Sequence, residues 1–95
     1  MKVLISPGYG AGWSTWNQHE LAIDARIIKK FEEGATWEEL SDYCQELGYD
    51  QPYMGGFETL TVVEVPRGVV FRIYEYDGAE SIEYFDPCKD WIVSV

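Results

Sequence analysis

The chain has few of the side chains on which most enzymes depend. Among its 95 residues are one histidine, His19, and two cysteines, Cys44 and Cys88. A Ser–His or Cys–His site needs the histidine beside a nucleophile and an orienting carboxylate, and no spacing here indicates one. The cysteines also lack the paired spacing of zinc and redox motifs. We therefore expect no enzyme, with no catalytic residue, metal site or cofactor; a Cys44–Cys88 disulfide or a nucleophilic cysteine is the alternative.

Positive charge and long apolar segments are also scarce. Seven Lys and Arg stand against seventeen Asp and Glu, and residues 31–95 hold three of the basic side chains and fifteen of the acidic ones. A field of this sign repels nucleic acid and anionic membranes and favours basic partners, although it can also serve solubility alone. No segment approaches the roughly 18–20 apolar residues of a membrane-spanning helix, and the opening is too short for a secretory signal. These features, with thiols suited to a reducing compartment, predict a cytoplasmic protein with no direct contact to nucleic acid or membrane.

Two helices are predicted in the first half of the chain. Apolar residues recur at helical spacing over residues 18–33. Thr36 and Glu39 match a capping box, which predicts that a second helix begins here and ends at Gly48. Because only two or three residues separate the helices, we expect a helical hairpin. The second helix carries Trp37, Leu40, Cys44 and Leu47 on one face.

Strands are predicted around this hairpin. An apolar run at residues 2–6 precedes it, and β-branched and aromatic residues dominate the segments after it, at residues 59–65, 69–76 and 80–85. Short turns at 66–68 and 77–78 predict an antiparallel meander of three to four strands, to which residues 91–95 could add a last edge strand. The sequence therefore predicts a single α+β domain over residues 1–95, with the helices on one face of the sheet. The face of the central strand that carries Arg72 and the tyrosines is expected to be exposed.

A glycine-rich connection between the first strand and the first helix is one candidate site. Such a connection can offer N–H groups to an anion, and nearby aromatic rings can stack on a base. Its spacing matches neither a dinucleotide fingerprint nor a P-loop. Within loop 7–17, the candidate ligand-binding residues are Gly8, Tyr9, Gly10, Gly12, Trp13, Ser14, Thr15 and Trp16. A nucleotide-sized ligand here would favour a homo-oligomer; otherwise the tryptophans pack on the sheet.

The predicted meander is the other candidate site, because it is rich in acidic and aromatic side chains. A dense acidic sheet can occupy a basic groove on a partner, and tyrosine and tryptophan are favoured in interfaces. The candidate partner-binding residues are Arg72, Tyr74, Glu75, Tyr76, Glu80 and Glu83. Residues 49–57 also mix turn residues with aromatics, which suits a loop that either packs back or binds something.

Three segments carry a resemblance that extends over nearly the whole chain. They are ISPGYGAGWSTW at residues 5–16, EVP at 64–66 and FRIYEYDG at 71–78. With these segments the chain resembles a group of small proteins encoded by bacteriophages and prophages. The resemblance implies an accessory protein made in a bacterial cytoplasm. Proteins of that kind often bind a host enzyme, a host defence component or its signal molecule, but the resemblance implies no site residue.

Two functions follow from these observations. The first is a phage-type accessory protein that binds and inhibits a host or defence-system component through the acidic and aromatic sheet. The alternative is a protein that binds or sequesters a small, nucleotide-like ligand with loop 7–17. Four tryptophans and seven tyrosines exceed what a small core needs, which favours binding over catalysis.

Overall fold

The computed structural model of the chain describes residues 1–10 and 12–85. Its helices and strands are β1 (Lys2–Ile5), α1 (Ala25–Glu32), α2 (Trp37–Glu46), β2 (Thr61–Glu64), β3 (Phe71–Tyr76) and β4 (Ala79–Tyr84). Short 3-10 turns occupy Ser14–Trp16, His19–Ala22 and Phe57–Thr59. The predicted α+β class, with an N-terminal strand and a helical hairpin, is confirmed. The last predicted strand, residues 91–95, lies outside the described residues, and so does Cys88.

The strands pair as two antiparallel ribbons. β1 pairs with β2, with Val3 opposite Val63. β3 pairs with β4, with Ile73 opposite Ile82. Within the described part of the chain β2 and β3 are not paired, so the structure differs from the single meander that the sequence pattern predicts.

The segment between β2 and β3 explains this difference. The N–H of Val65, where a tight hairpin would have to start, donates instead to the carbonyl of Met1 at 2.7 Å. Pro66 has no N–H and cannot donate a ladder hydrogen bond. The chain therefore leaves the first ribbon at Val65 and forms a new one from β3 onward.

β1 is buried on both sides, which fixes the order of layers. Leu4 belongs to the main core with Leu21, Ile27 and Leu40 from the helical side. Val3 and Ile5, which face the opposite way along the strand, pack with the β3–β4 ribbon through Phe71, Ile73 and Ile82. The β1–β2 ribbon is therefore the middle layer between the helical hairpin and the β3–β4 ribbon.

The first helix begins later than residue 18, because Asp24 caps it. The Asp24 carboxylate accepts the backbone N–H of Arg26 at 2.9 Å, and its other oxygen accepts from the Arg26 guanidinium at 2.8 Å and from the Tyr49 hydroxyl at 2.7 Å. The guanidinium, with help from Tyr49, holds the pKa of this carboxyl well below its usual range, while partial burial opposes the shift. Residues His19–Ala22 form a 3-10 turn instead of the first helical turns.

The second helix begins where the sequence predicts. Thr36 Oγ1 accepts the N–H of Glu39 at 3.2 Å, and the Glu39 carboxylate accepts the N–H of Thr36 at 3.0 Å. Gly48 follows the helix with φ +97°, a left-handed conformation that favours glycine. Among residues 1–10 and 12–85, no helix has the length and apolar composition of a membrane-spanning segment.

Candidate functional site

The glycine-rich loop is closed around the carboxylate of Glu80, which is only 2% exposed. Glu80 Oε1 accepts the N–H of Ser6 at 3.0 Å. Its Oε2 accepts the N–H groups of Trp13 and Thr15, each at 2.9 Å, and the Thr15 hydroxyl at 2.6 Å. Glu80 is therefore not on an exposed acidic surface, as its sequence position suggests, but inside the molecule, where it holds the loop.

Backbone contacts also join the loop to the tip of the β3–β4 ribbon. The N–H of Gly10 donates to the carbonyl of Asp77 at 2.6 Å. The N–H of Gly12 donates to the carbonyl of Gly78 at 2.7 Å. A Cβ atom at Gly12 would lie 2.2 Å from the Trp16 ring, and its φ of +53° is one that other residues rarely adopt. Glycine is needed at this position for both reasons.

The predicted loop residues fall into two groups. Gly12, Trp13 and Ser14 are buried, and Trp13 is part of the main core with Leu4 and Leu21. Gly8 is half-buried, and a Cβ atom there would lie 2.8 Å from Thr59. The packing alternative thus holds for Trp13. The second group is exposed and comprises Tyr9, Gly10, Thr15 and Trp16.

The predicted acidic sheet face does not form either, because the strand register splits it. Glu75 lies opposite Glu80 on one side of the β3–β4 ribbon, and Glu83 lies opposite Arg72 on the other. Glu75 accepts the N–H of Gly78 at 2.9 Å, within the turn. Glu83 accepts a hydrogen bond from Arg72 at 3.0 Å. These carboxylates therefore do not form one continuous negative surface.

The exposure of the outer ribbon face is confirmed. Arg72, Tyr74 and Tyr76 alternate along β3 and are all exposed, whereas Phe71 and Ile73 pack toward the middle layer. This face presents two tyrosines and an ion pair, which is a mixed surface and not an acidic one.

A groove that the sequence does not single out lies between the start of α2 and residues 53–58. Its volume is about 680 Å³. The side chains that shape it are Trp37, Glu38, Tyr53, Met54, Phe57 and Glu58; we call it the aromatic groove. Trp37 is 50% exposed and Tyr53 is 48% exposed. Trp37 is the first residue of α2, and it stays half-exposed although Leu40 and Cys44, which the sequence places on the same helix face, are buried.

The aromatic groove adjoins the glycine-rich loop. The rings of Trp16 and Tyr53 lie 5.6 Å apart between centroids. The N–H of Tyr53 donates to Asn17 Oδ1 at 2.7 Å, and Asn17 Nδ2 donates to the carbonyl of Trp13 at 2.8 Å. The aromatic residues in segment 49–57 are the one sequence signal that points to this place.

The surroundings of the aromatic groove are negatively charged. Glu38 and Glu58 line it, and the exposed side of α2 continues with Asp42 and Glu46 at intervals of four residues. Such spacing places side chains on one face of a helix. The sequence of α2 contains no Lys or Arg. A ligand in the groove would thus meet apolar walls beside a row of carboxylates.

The described side chains offer little for catalysis or metal binding. The His19 side chain is exposed, with Nε2 3.4 Å from Glu20 Oε1. Cys44 is buried, and burial raises the pKa of its thiol to about 11. A thiol that stays protonated at neutral pH is a poor nucleophile. No group of three or more His, Cys, Asp or Glu among residues 1–10 and 12–85 is arranged to hold a metal ion.

Comparison of the chain with protein-family models, curated proteins and solved structures found no match. The candidate site is therefore defined by geometry alone. An apolar groove with two half-exposed aromatic walls and a carboxylate rim suits a segment of another protein. The loop is less suited to a phosphate, because Glu80 already accepts the N–H groups of Ser6, Trp13 and Thr15.

Proposed function

We propose that the protein is a non-enzymatic, phage-type accessory protein that binds a protein of the bacterial host, and that the aromatic groove is its binding site. The exposure of Trp37 and Tyr53 on the walls of one groove is the observation that supports this most strongly. Large aromatic side chains at a concave surface are typical anchors of protein interfaces. The phage-type context comes from the resemblance of residues 5–16, 64–66 and 71–78.

The chemistry of the groove indicates the kind of partner. Apolar walls accept a leucine or aromatic anchor, and the carboxylates of Glu38, Asp42 and Glu58 attract Lys or Arg beside that anchor. The occupant is accordingly an apolar segment flanked by basic residues. Binding of such a segment would block whatever surface of the host component carries it, which is how inhibition would arise.

A peptide-display selection on the purified protein tests this proposal. Enriched peptides are expected to combine an apolar anchor with Lys or Arg. For a synthetic peptide of that kind, Trp37→Ala should weaken binding by at least about tenfold, as truncation of an interface anchor does. Tyr76→Ala is the control, because it removes an exposed aromatic ring from the outer face of the β3–β4 ribbon, away from the groove. The affinity of the Tyr76→Ala variant for the peptide should stay within about twofold of that of the unmodified protein.

Charge reversal tests the rim separately. Glu38→Lys should weaken binding of the same peptide by roughly threefold to tenfold, with the effect shrinking as salt is added. Glu33→Lys makes the same charge change at an exposed residue away from the groove and should have little effect. The proposal would be contradicted if Tyr76→Ala and Trp37→Ala lowered the peptide affinity equally, or if the enriched peptides lacked basic residues.

A further inference from the structure

Four hydrogen-bond donors of the glycine-rich loop and its flanks converge on one carboxylate. Three are backbone N–H groups, from Ser6, Trp13 and Thr15, and the fourth is the Thr15 hydroxyl. Their distances to the Glu80 oxygens run from 2.6 to 3.0 Å. Backbone N–H groups that point into one concavity form a nest that binds anions, including phosphate.

The main chain of Glu80 strengthens the same attachment. Its N–H donates to the carbonyl of Ser6 at 2.8 Å, so the side chain and the backbone of Glu80 both bind the residue that follows β1. A buried carboxylate is costly unless its lone pairs are satisfied. At 2% exposure, Glu80 can remain inside because neutral dipoles of the loop surround its two oxygens.

We infer that the backbone N–H groups of Ser6, Trp13 and Thr15, together with the Thr15 hydroxyl, form an anion receptor whose resident anion is the Glu80 side chain. The glycine-rich loop thus has the property that its sequence indicates, but the ligand is supplied from β4 of the same chain. If the resident carboxylate is removed, the receptor should accept a small carboxylate or phosphate from solution. This inference goes beyond the proposed function and holds whether or not the aromatic groove binds a partner.

Glu80→Ala tests the inference by emptying the receptor. The melting temperature should fall by about 10 °C or more, because four donors lose their charged acceptor. Formate or acetate should raise it again in a saturable way, while chloride at equal ionic strength should not. Amide signals of Trp13 and Thr15 in NMR spectra should move toward their original positions during the same titration. Inorganic phosphate is the second probe and reports whether the cavity takes a larger anion.

Glu80→Gln keeps the test decisive if the alanine variant fails to fold. A glutamine side chain has one oxygen and one NH₂ group. If its oxygen accepts the N–H groups of Trp13 and Thr15, its NH₂ group faces the N–H of Ser6, and two donors then oppose each other. We expect amide exchange at Ser6 to accelerate by at least about tenfold, with Leu4 and Leu40 protected as before. Unchanged exchange at Ser6, Trp13 and Thr15 in Glu80→Gln would overturn the inference. So would a folded Glu80→Ala protein that responds equally to formate and chloride.

Discussion

The glycine-rich loop and the aromatic groove meet where Trp16 contacts Tyr53, but they use their side chains in opposite ways. In the loop, the Thr15 hydroxyl points inward and donates to the buried Glu80 carboxylate. In the groove, the aromatic ring of Trp37 is left half-exposed. The first arrangement stabilises the chain itself, and the second leaves apolar area that a partner could bury.

This difference shows why residue type alone misleads in a small protein. Glycines, tryptophans and a carboxylate next to one another are typical of ligand sites, but here Gly10, Gly12 and Glu80 bond the loop to the β3–β4 ribbon, and Trp13 packs in the core. Burial separates the two uses, because a satisfied, buried polar group has little left to offer a ligand. The following variants test that separation, from the largest expected effect to the smallest.

Trp13→Ala should cost the most. Trp13 is 1% exposed within the main core, so truncation should lower the free energy of unfolding by about 4 kcal/mol. Trp16→Ala, three residues later, should lower it by roughly 1 kcal/mol, because Trp16 is 42% exposed and lies outside the core. Urea denaturation of both variants measures the difference. If the two variants lost similar amounts of unfolding free energy, the distinction between a core Trp13 and a surface Trp16 would be wrong.

Glu80→Ala and Glu83→Ala compare a buried and a partly exposed carboxylate of the same strand. Loss of the Glu80 carboxylate should lower the free energy of unfolding by about 3 kcal/mol, because it leaves buried donors unpaired. Loss of Glu83, whose partner Arg72 is largely exposed, should change it by about 0.5 kcal/mol or less. The order would be reversed if the acidic residues of β4 acted mainly through surface charge.

Thr15→Val and Ser14→Ala compare two adjacent hydroxyl groups. The Thr15 hydroxyl donates to Glu80 at 2.6 Å, so its loss should cost about 1–2 kcal/mol. The buried Ser14 hydroxyl has no hydrogen-bond partner among the described residues, and its removal should be nearly neutral. Thermal unfolding of the Thr15→Val and Ser14→Ala variants measures the two effects. A larger loss for Ser14→Ala would mean that the loop is held by contacts other than the Glu80 carboxylate.

Asp24→Asn separates acid stability from binding at the groove. The pKa of Asp24 is lowered in the folded protein, so its stabilisation is complete above about pH 5 and is lost as the pH falls below about 4. Asparagine still caps α1 but cannot be protonated in this way. The stability gap between the two proteins should therefore be largest at neutral pH and close on acidification. Peptide affinity at pH 7 should be unchanged, since Asp24 lies outside the groove.

Local signals in the sequence were enough to predict several elements. The capping box at Thr36 and Glu39 predicts the start of α2 because it depends on residues three apart. Asp77 and Gly78 predict the β3–β4 turn, and both have the positive φ that such a turn needs. Helix α1 was predicted too long, because the apolar spacing continues through a 3-10 turn before the Asp24 cap.

Contacts between distant residues could not be predicted in the same way. β1 pairs with β2 about sixty residues later, and the periodicity of either strand does not specify its partner. Glu80 looks like any surface acid of an alternating strand, because its hydrogen-bond donors lie 65 to 74 residues away. The aromatic groove depends likewise on the approach of Trp37 to residues 53–58. These features appear only when the layers are assembled.

Chemical-shift mapping of a selected apolar, basic peptide by NMR tests the central claim most directly. The account predicts that the largest shifts fall on Trp37, Tyr53, Met54 and Phe57, with smaller ones at Glu38 and Glu58. Shifts concentrated on Tyr74 and Tyr76, or on the loop around Gly10, would contradict it and move the binding site to another surface.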